Sequence, residues 1–333
     1  MKIKVYILLV IAILFQLNLT YAQGCDGDDP VTTDKDGATP KVKIFGYLQT
    51  QYDYTFNDIN ENTLKFKRAR IGVRGNIDND FSYYFMLEAS PFIGGVGSAY
   101  LMDAFVTYHK YNWAKISAGS FKQPFGLEVN TPCNNLTTID RSIVSDQLVA
   151  PQRDFGLIIL GGNKYTKFNY AVALMNGRGL NVVDNNSKKD IIGRVSYKLF
   201  DFMTIGGSFR YGYPNNNDDT RTTYGAEMAV KLNNLKIQGE YIYDEGDYNR
   251  AAGGGCGSEP VELGEKRDGA YIMVSYDTKW KVQPVFKYEY FDPNIDVKKI
   301  GYQEMMTIGA NYFINDKVRI QLNYQAHIET YIN

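Results

Sequence analysis

Residues 66–75, FKRARIGVRG, have opposite chemistry at alternate positions. Successive side chains of an extended chain point to opposite faces, so Arg68, Arg70 and Arg74 share one face of a strand. Apolar side chains such as Ile71 lie on the other face. The same two-sided pattern recurs along most of the chain. It predicts a closed sheet whose apolar side meets lipid and whose charged side lines a water-filled lumen.

Length and composition agree with a sheet in a membrane. The chain has 333 residues, with 27 Tyr and 18 Phe against 2 Trp, a composition that favours strands. Its mean hydropathy is −0.33, whereas a helical membrane protein needs apolar runs of roughly 20 residues. An all-β transmembrane barrel is therefore expected instead of a helix bundle.

The first 22 residues have the features of a secretory signal peptide. Lys2 and Lys4 precede a long apolar run, and the small-x-small pattern of residues 20–22 is typical of a cleavage site. Residues 23–40 are rich in Gly, Asp, Thr and Pro and predict a flexible leader. Loss of the two lysines leaves 34 basic against 37 acidic residues, a net charge of about −3, so no nucleic-acid partner is expected.

The three cysteines indicate neither a disulfide scaffold nor a metal site, because they are few and widely separated. Cys25 follows the predicted cleavage site, but the residues before it lack the leucine that an acylated cysteine requires. A bridge between Cys133 and Cys256 in an oxidising compartment is left open. No cofactor is expected.

Residues 41–333 predict the barrel itself. Fifteen alternating segments can be counted, and short connections interleave with longer ones, as in an up-and-down barrel. The connection at about residues 122–153 has no clean period, and a long insertion of this kind is usually functional or disordered. We expect it to fold into the pore. Outward tyrosines and phenylalanines near the strand ends predict two aromatic girdles.

Five segments together resemble the phosphate-selective porin O and P family. They are residues 66–75, 81–89, 101–105 (LMDAF), 119–128 (GSFKQPFGLE) and 151–156 (PQRDFG). The resemblance implies a 16-stranded bacterial outer-membrane channel that is usually a homotrimer, with an inward-folded third loop and a lumen lined by Arg and Lys. It also implies small anionic solutes, outer-membrane lipid and the barrel-assembly machinery as partners.

The count of fifteen strands is one short of the sixteen that the resemblance implies. An odd number leaves an unpaired edge in lipid, where unsatisfied backbone groups are costly. Two explanations are open: a strand is hidden in residues 122–153, or the sequence lacks its closing strand.

The inward phase of the strands contains more basic than acidic residues, which predicts a positive lumen in a mildly acidic protein. Such a lumen favours anions, and guanidinium groups suit phosphate geometry. The candidate anion-binding and pore-lining residues are Arg68, Arg70, Arg74, Arg194, Arg210 and Arg319. The candidates in the constriction loop are Lys122, Arg141 and Arg153.

Each of these basic residues also has a structural interpretation, since lumen arginines pair with lumen carboxylates and stiffen the wall. The cluster on residues 66–75 is the stronger candidate, because we expect no acid beside it in register. The loop candidates are weaker because acidic residues accompany them, among them Glu128 and Asp140.

The function predicted from the sequence is a passive diffusion channel with a modest preference for anions such as phosphate. A general non-selective porin and a plugged barrel used for surface binding are the alternatives. An outer-membrane lipase needs a His and Ser pair on the lipid side. His109 and His327 both lie in the inward phase, so an enzyme is not expected.

Overall fold

The computed structural model describes residues 3–12, 42–56, 61–95, 97–163, 165–248, 262–297 and 301–329. Within these ranges, sixteen antiparallel strands form one closed barrel in which each strand pairs with its neighbours in the chain and β1 pairs with both β2 and β16. The strands are β1 Ile3–Ala12, β2 Lys43–Phe56, β3 Glu61–Asn76, β4 Phe81–Glu88, β5 Tyr100–Tyr111, β6 Ala114–Lys122, β7 Arg153–Gly161, β8 Phe168–Met175, β9 Asp190–Phe200, β10 Met203–Gly212, β11 Arg221–Leu232, β12 Leu235–Gly246, β13 Lys266–Tyr276, β14 Val282–Asp292, β15 Gln303–Asn315 and β16 Val318–Glu329.

The fifteen strands counted in the sequence are β2 to β16, which confirms the all-β barrel. The sixteenth, β1, lies between β2 and β16 and comes from the segment whose sequence predicts a signal peptide. That assignment stays a prediction, and the leader at residues 23–40 lies outside the described residues. The suggestion of a strand hidden in residues 122–153 is wrong, because this segment contains short helices instead.

Short helices occur only in connections within the described ranges. They are α1 Ser90–Ile93, α2 Leu127–Asn130, the 3₁₀ turn Cys133–Asn135 and α3 Ile143–Leu148. No helix among the described residues combines the length and the hydropathy that crossing a membrane requires.

The two faces of the wall differ in exposure as the alternation predicts. On β7, Phe155 and Leu157 are 60% and 53% exposed, whereas Ile158 and Leu160 are 5% and 6% exposed. Apolar residues therefore lie on both faces of this strand. The outward ones face lipid, and the inward ones belong to a cluster inside the barrel.

The short turns are fixed by local side-chain hydrogen bonds. The Asp78 carboxylate accepts hydrogen bonds from the N–H groups of Asp80 and Phe81, both at 2.8 Å. Asn315 plays the same role for Val318 at 2.9 Å, and Asn233 takes a positive φ of 52° in a two-residue turn. Asx side chains favour such turns, so the sequence itself sets the hairpins.

Aromatic side chains lie in two bands near the strand ends. At the end with the long connections, which we call external, the rings of Phe209, Tyr224 and Tyr243 form a row with centroids 5.5 and 6.5 Å apart. At the short-turn end, the rings of Phe81 and Tyr108 lie 5.0 Å apart. Amphipathic rings at both interfaces are typical of membrane barrels.

A β-bulge interrupts the alternation of β3. Gln49 pairs with Arg68 and the next residue, Thr50, pairs with Phe66, so Lys67 is an extra residue opposite β2. A bulge places two residues of one strand opposite one residue of its partner. The residues on either side of the bulge therefore keep their faces relative to the partner strand. As a result, Lys67 and Arg68 both reach the lumen side of the wall.

Candidate functional site

Residues 123–152, which we call the constriction loop, fold into the barrel between β6 and β7. Val129, Val144 and Leu148 are fully buried and pack against inward apolar residues of the wall, among them Phe105 and Ile192. An apolar loop surface is thus matched by an apolar inner surface. The hydrophobic effect holds the loop inside the lumen.

The first part of the loop is anchored to β10 and β12. The Gly126 N–H donates to Ser208 Oγ at 2.9 Å. The Glu240 carboxylate accepts hydrogen bonds from the N–H groups of Leu127 at 2.9 Å and Glu128 at 3.1 Å. A carboxylate at these first amides of α2 satisfies donors that have no partner within the helix.

The last part of the loop is held by arginines from the same wall. Arg221 donates from Nη1 to Ala150 O at 2.7 Å and from Nη2 to Leu148 O at 2.5 Å. Arg210 also donates to Ala150 O, at 3.2 Å. These guanidinium groups bind backbone carbonyls of the loop, so they position the loop.

Each clamping arginine is also neutralised by a buried carboxylate. Arg210 pairs with Asp190 at 2.5 Å, and Asp244 pairs with both Arg221 at 2.8 Å and Arg267 at 2.5 Å. Buried ion pairs need such additional hydrogen bonds to offset the cost of desolvation. This wall contributes rigidity and little net positive charge.

Tyr248 connects the clamp with the connection that follows β12. The guanidinium groups of Arg221 and Arg267 both lie over its ring, 4.9 and 5.0 Å from the centroid. Its hydroxyl donates to Gln147 O in the constriction loop at 2.7 Å. An external connection therefore reaches down to the loop in the lumen.

The middle of the loop is attached to β14, β15 and β16. The Ile143 N–H donates to Glu289 at 3.2 Å, and the Ile139 N–H donates to Asn323 Oδ1 at 2.8 Å. Asn311 donates to Thr137 O at 2.9 Å. The loop is thus bonded to the wall on the side opposite its own strands.

An ion pair joins the loop to β3. Lys67 Nζ lies 2.6 Å from Asp140 Oδ1. Burial by itself would raise the pKa of the Asp140 carboxyl, but the charges of Lys67 and Arg68 outweigh burial and lower this pKa below its ordinary value. Asp140 is therefore ionised at neutral pH.

Of the three constriction-loop candidates, Arg141 lies in the loop, whereas Lys122 is the last residue of β6 and Arg153 is the first residue of β7. Lys122 donates to Val129 O at 2.8 Å. Arg141 donates to Glu128 O at 3.0 Å and also contacts Cys133 Sγ at 3.4 Å. Arg153 pairs with Asp103 of β5 at 2.9 Å. Cys133 is buried, and the alternative of a bridge to Cys256 involves a residue outside the described ones.

Three of the six strand candidates have a carboxylate partner on a neighbouring or nearby strand, and one of them is Arg210, whose pair with Asp190 is described above. Arg194 pairs with Glu227 at 2.5 Å. Arg70 pairs with Glu88 at 2.7 Å, so the expectation that no acid lies beside this cluster in register is wrong. Glu88 is the direct register partner of Arg70 on β4, and strand registers could not be read from one segment alone.

The remaining candidates, Arg68, Arg74 and Arg319, lie on β3 and β16, the strands on either side of the pair β1 and β2. Arg68 donates to Gln49 Oε1 at 2.5 Å, and Arg74 is the register partner of Lys43. Arg319 is 8% exposed, and its Nε has no hydrogen-bond partner among the described residues. Together with Lys67, these residues form what we call the basic wall: Lys43, Lys67, Arg68, Arg74 and Arg319.

Several important residues were not singled out in the sequence. Lys67 was missed because only the bulge turns it inward. Arg221 and Arg267 were missed because the counted strands began three and two residues later, although extending the same alternation would have placed both in the lumen. Tyr248 gives no local signal of its role.

Comparisons with known proteins agree with this architecture. A family profile described as Phosphate-selective porin O and P matches residues 42–191 and 208–333. Porin O of Pseudomonas aeruginosa is 25% identical over 248 residues, which are 71% of this chain and 54% of that protein. The chain thus spans about half the length of this curated relative.

Solved structures share the fold at low identity. The anion-selective porin from Comamonas acidovorans superposes with a TM-score of 0.62 at 12% identity, covering 87% of this chain and all of that one. OmpT of Vibrio cholerae, in a trimer form, gives a TM-score of 0.57 at 11% identity and covers 87% of this chain and 99% of that one. At these identities the likeness establishes the barrel fold.

Proposed function

Because this chain belongs to the phosphate-selective porin O and P family of bacterial outer-membrane porins, which are channels and not enzymes, we propose that it is a passive diffusion channel with a modest preference for anions such as phosphate. The observation that carries the anion preference is the basic wall. Small anionic solutes are the substrates, and the proposed assembly is a homotrimer in outer-membrane lipid, inserted by the barrel-assembly machinery.

The distribution of charge supports this assignment. On the wall from β9 to β13, the arginines at positions 194, 210, 221 and 267 are matched by Glu227, Asp190 and Asp244. The basic wall supplies five basic side chains on β2, β3 and β16, of which Lys67 pairs with Asp140. An ion that passes between the constriction loop and β2, β3 and β16 therefore meets net positive charge, which lowers the energy of an anion.

The chemistry of this wall suits phosphate. Guanidinium groups present paired N–H donors that match phosphate oxygens. Arg319 has a buried Nε–H with no hydrogen-bond partner among the described residues, so an anion there gains a bond without breaking another. The names of the similar Porin O and of the anion-selective porin point in the same direction.

Planar-bilayer recordings test the proposal. In a KCl gradient, we expect a reversal potential of the sign given by an anion-preferring channel, and millimolar phosphate should reduce the chloride current. A cation-preferring reversal potential would refute the anion preference and leave the channel intact. A reversal potential near zero would indicate a general non-selective porin.

A plugged barrel for surface binding is the second candidate, favoured by one observation. Almost all residues of the constriction loop between positions 138 and 152 are buried. The loop as a whole is hydrogen-bonded to β10, β11, β12, β14, β15 and β16. Unit conductance separates the two candidates, because a plugged barrel conducts almost no current and a porin gives discrete steps.

A further inference from the structure

The lumen face of β2 places an aromatic ring beside two cations. Lys43 and Phe45 are two residues apart and share this face, because a strand has a period of two. Lys43 is the register partner of Arg74 on β3, and both belong to the basic wall. On the other side of the ring, Arg70 of β3 is neutralised by Glu88. The cationic side of Phe45 is therefore the side of Lys43 and Arg74.

A glycine on β3 gives the Phe45 ring its position. Gly72 is the register partner of Phe45, and a Cβ added at Gly72 would overlap the tip of the Phe45 ring. The ring therefore occupies space that a side chain at position 72 would fill. It reaches the Tyr84 ring of β4, with the two centroids 5.0 Å apart. Because position 72 has no side chain, the Phe45 ring lies against the wall.

A row of buried rings supports Phe45 from behind. Tyr84 stacks on Phe105 with centroids 5.1 Å apart and an angle of 10° between the ring planes. Phe105 in turn meets Phe121 edge-on at 6.1 Å. These three side chains are buried, whereas Phe45 is only partly buried and packs against their cluster. Phe45 is therefore the lumen end of a row whose other rings are covered.

The exposed part of the Phe45 ring favours a particular kind of solute. A phenyl ring has no polar group, so in a water-filled lumen it gains from contact with an apolar or aromatic surface. The positive charge of Lys43 and Arg74 beside it attracts anions. A solute with both an anionic group and a flat aromatic body finds a contact for each part at this place.

We propose that Phe45 is a stacking site for aromatic organic anions, aryl phosphates in particular, and that Lys43 and Arg74 hold the anionic group. This inference rests on the proposed anion preference and gives it a substrate class, since chloride and inorganic phosphate have no ring to cover Phe45. A ring fixed by its neighbours loses little freedom when a solute stacks on it. The row of rings also borders the apolar cluster that holds the constriction loop, and the test separates this structural role from binding.

Block of the chloride current in planar bilayers tests the proposal. Phenyl phosphate and methyl phosphate carry the same anionic group and differ in the ring, and both are applied at a pH at which they are dianions. In the wild type, phenyl phosphate should halve the current at a concentration roughly three- to tenfold lower than methyl phosphate, as expected for one aromatic contact. Phe45→Leu should remove most of this difference, whereas Phe45→Tyr, which keeps the ring, should retain it.

Two control variants assign the effect to the ring. Phe209→Leu removes a ring of the external aromatic band and should leave both half-blocking concentrations unchanged. Lys43→Met keeps Phe45 but removes a cation. It should raise both half-blocking concentrations by a similar factor and leave their ratio as in the wild type.

The outcomes separate this inference from the anion preference on which it rests. Equal block of the wild type by the two phosphates, block by neither, or an unchanged ratio in Phe45→Leu would each overturn the stacking site. The wild-type comparison needs no substitution, so it decides the point even for a variant that fails to fold. Reversal potentials in a KCl gradient are recorded for the same channels. An anion-preferring wild type that does not distinguish the two phosphates refutes the stacking site alone, whereas a cation-preferring wild type refutes the anion preference itself.

Discussion

Replacement of Lys67 by Met removes the ion pair that ties the constriction loop to β3. The Lys67 and Asp140 side chains are 15% and 22% exposed, and their charged atoms lie 2.6 Å apart. Methionine keeps the length and the apolar stem of the side chain but not the charge. The carboxylate of Asp140 then faces the basic wall with one partner fewer.

The structure gives the size of two effects. At an effective dielectric constant of about 20, the gross attraction at 2.6 Å is about 6 kcal/mol, most of which offsets desolvation, so the variant should lose about 1–3 kcal/mol in the free energy of unfolding. For the current, a unit charge about 7 Å from a permeating ion changes its energy by about 0.6 kcal/mol in water. Because anions and cations shift in opposite directions, the anion-to-cation permeability ratio should fall by roughly three- to eightfold.

Reversal potentials in a KCl gradient and urea titrations of the folded barrel measure the two effects in one double-mutant cycle. Asp140→Asn alone should raise the permeability ratio by a similar factor, and the double variant should return close to the wild-type ratio. The two losses of stability should add to more than that of the double variant, because the residues are in contact. An unchanged permeability ratio in all three variants would refute the placement of this pair beside the ion path.

Acidification provides a further check on the same pair. The folded pKa of Asp140 is lowered relative to an unfolded value of about 3.9, so the stabilisation is complete above that value and is lost as the pH falls through the folded pKa. In the Lys67→Met variant, less positive charge opposes the effect of burial, so the pKa of Asp140 is higher than in the wild type. On acidification, protonation of Asp140 should restore anion preference in the Lys67→Met channel. This should occur at a higher pH than the pH at which the wild type loses the ion pair between Lys67 and Asp140.

Three further predictions concern the walls. Arg221→Gln breaks a buried ion pair and two hydrogen bonds to the constriction loop, and it should lower the free energy of unfolding in urea titrations by about 3–5 kcal/mol. The control is Lys189→Ala, which removes a partly exposed pair with Asp184 and should cost less than about 1 kcal/mol. Equal losses of stability would contradict the role of Arg221 in holding the loop. Glu240→Gln weakens the bonds to the first amides of the loop by about 1–2 kcal/mol and should increase open-channel current noise without changing ion preference. Arg319→Glu should shift the reversal potential toward cation preference while the unit conductance persists, and an unchanged potential would remove this residue from the ion path.

Local sequence was sufficient for much of the architecture. Alternation on β3 and β7 sets which side chains face lipid, because the strand has a period of two. Asp78 and Asn315 fix short turns through bonds to amides two and three residues away. The rings of Tyr224 and Tyr243 lie at a strand end because amphipathic rings prefer the interface. Each of these features depends on neighbours in the chain.

The roles of the basic residues depended on tertiary structure. Arg70 and Arg194 lie in the lumen as the pattern predicts, but Glu88 and Glu227 neutralise them from other strands, and only the registers bring these partners together. Lys67 reaches Asp140 because a bulge adds one residue to β3, which a single sequence does not reveal.

The sequence by itself therefore determined a two-sided barrel, its turns, its rims and its supply of inward charge, since these follow from strand period and local hydrogen bonding. Only the tertiary structure decided which arginines are paired and where the constriction loop is held. The bond from Ile139 to Asn323 joins residues 184 positions apart in the chain. Contacts of that range arise from closure of the barrel around the loop, and no local pattern encodes them.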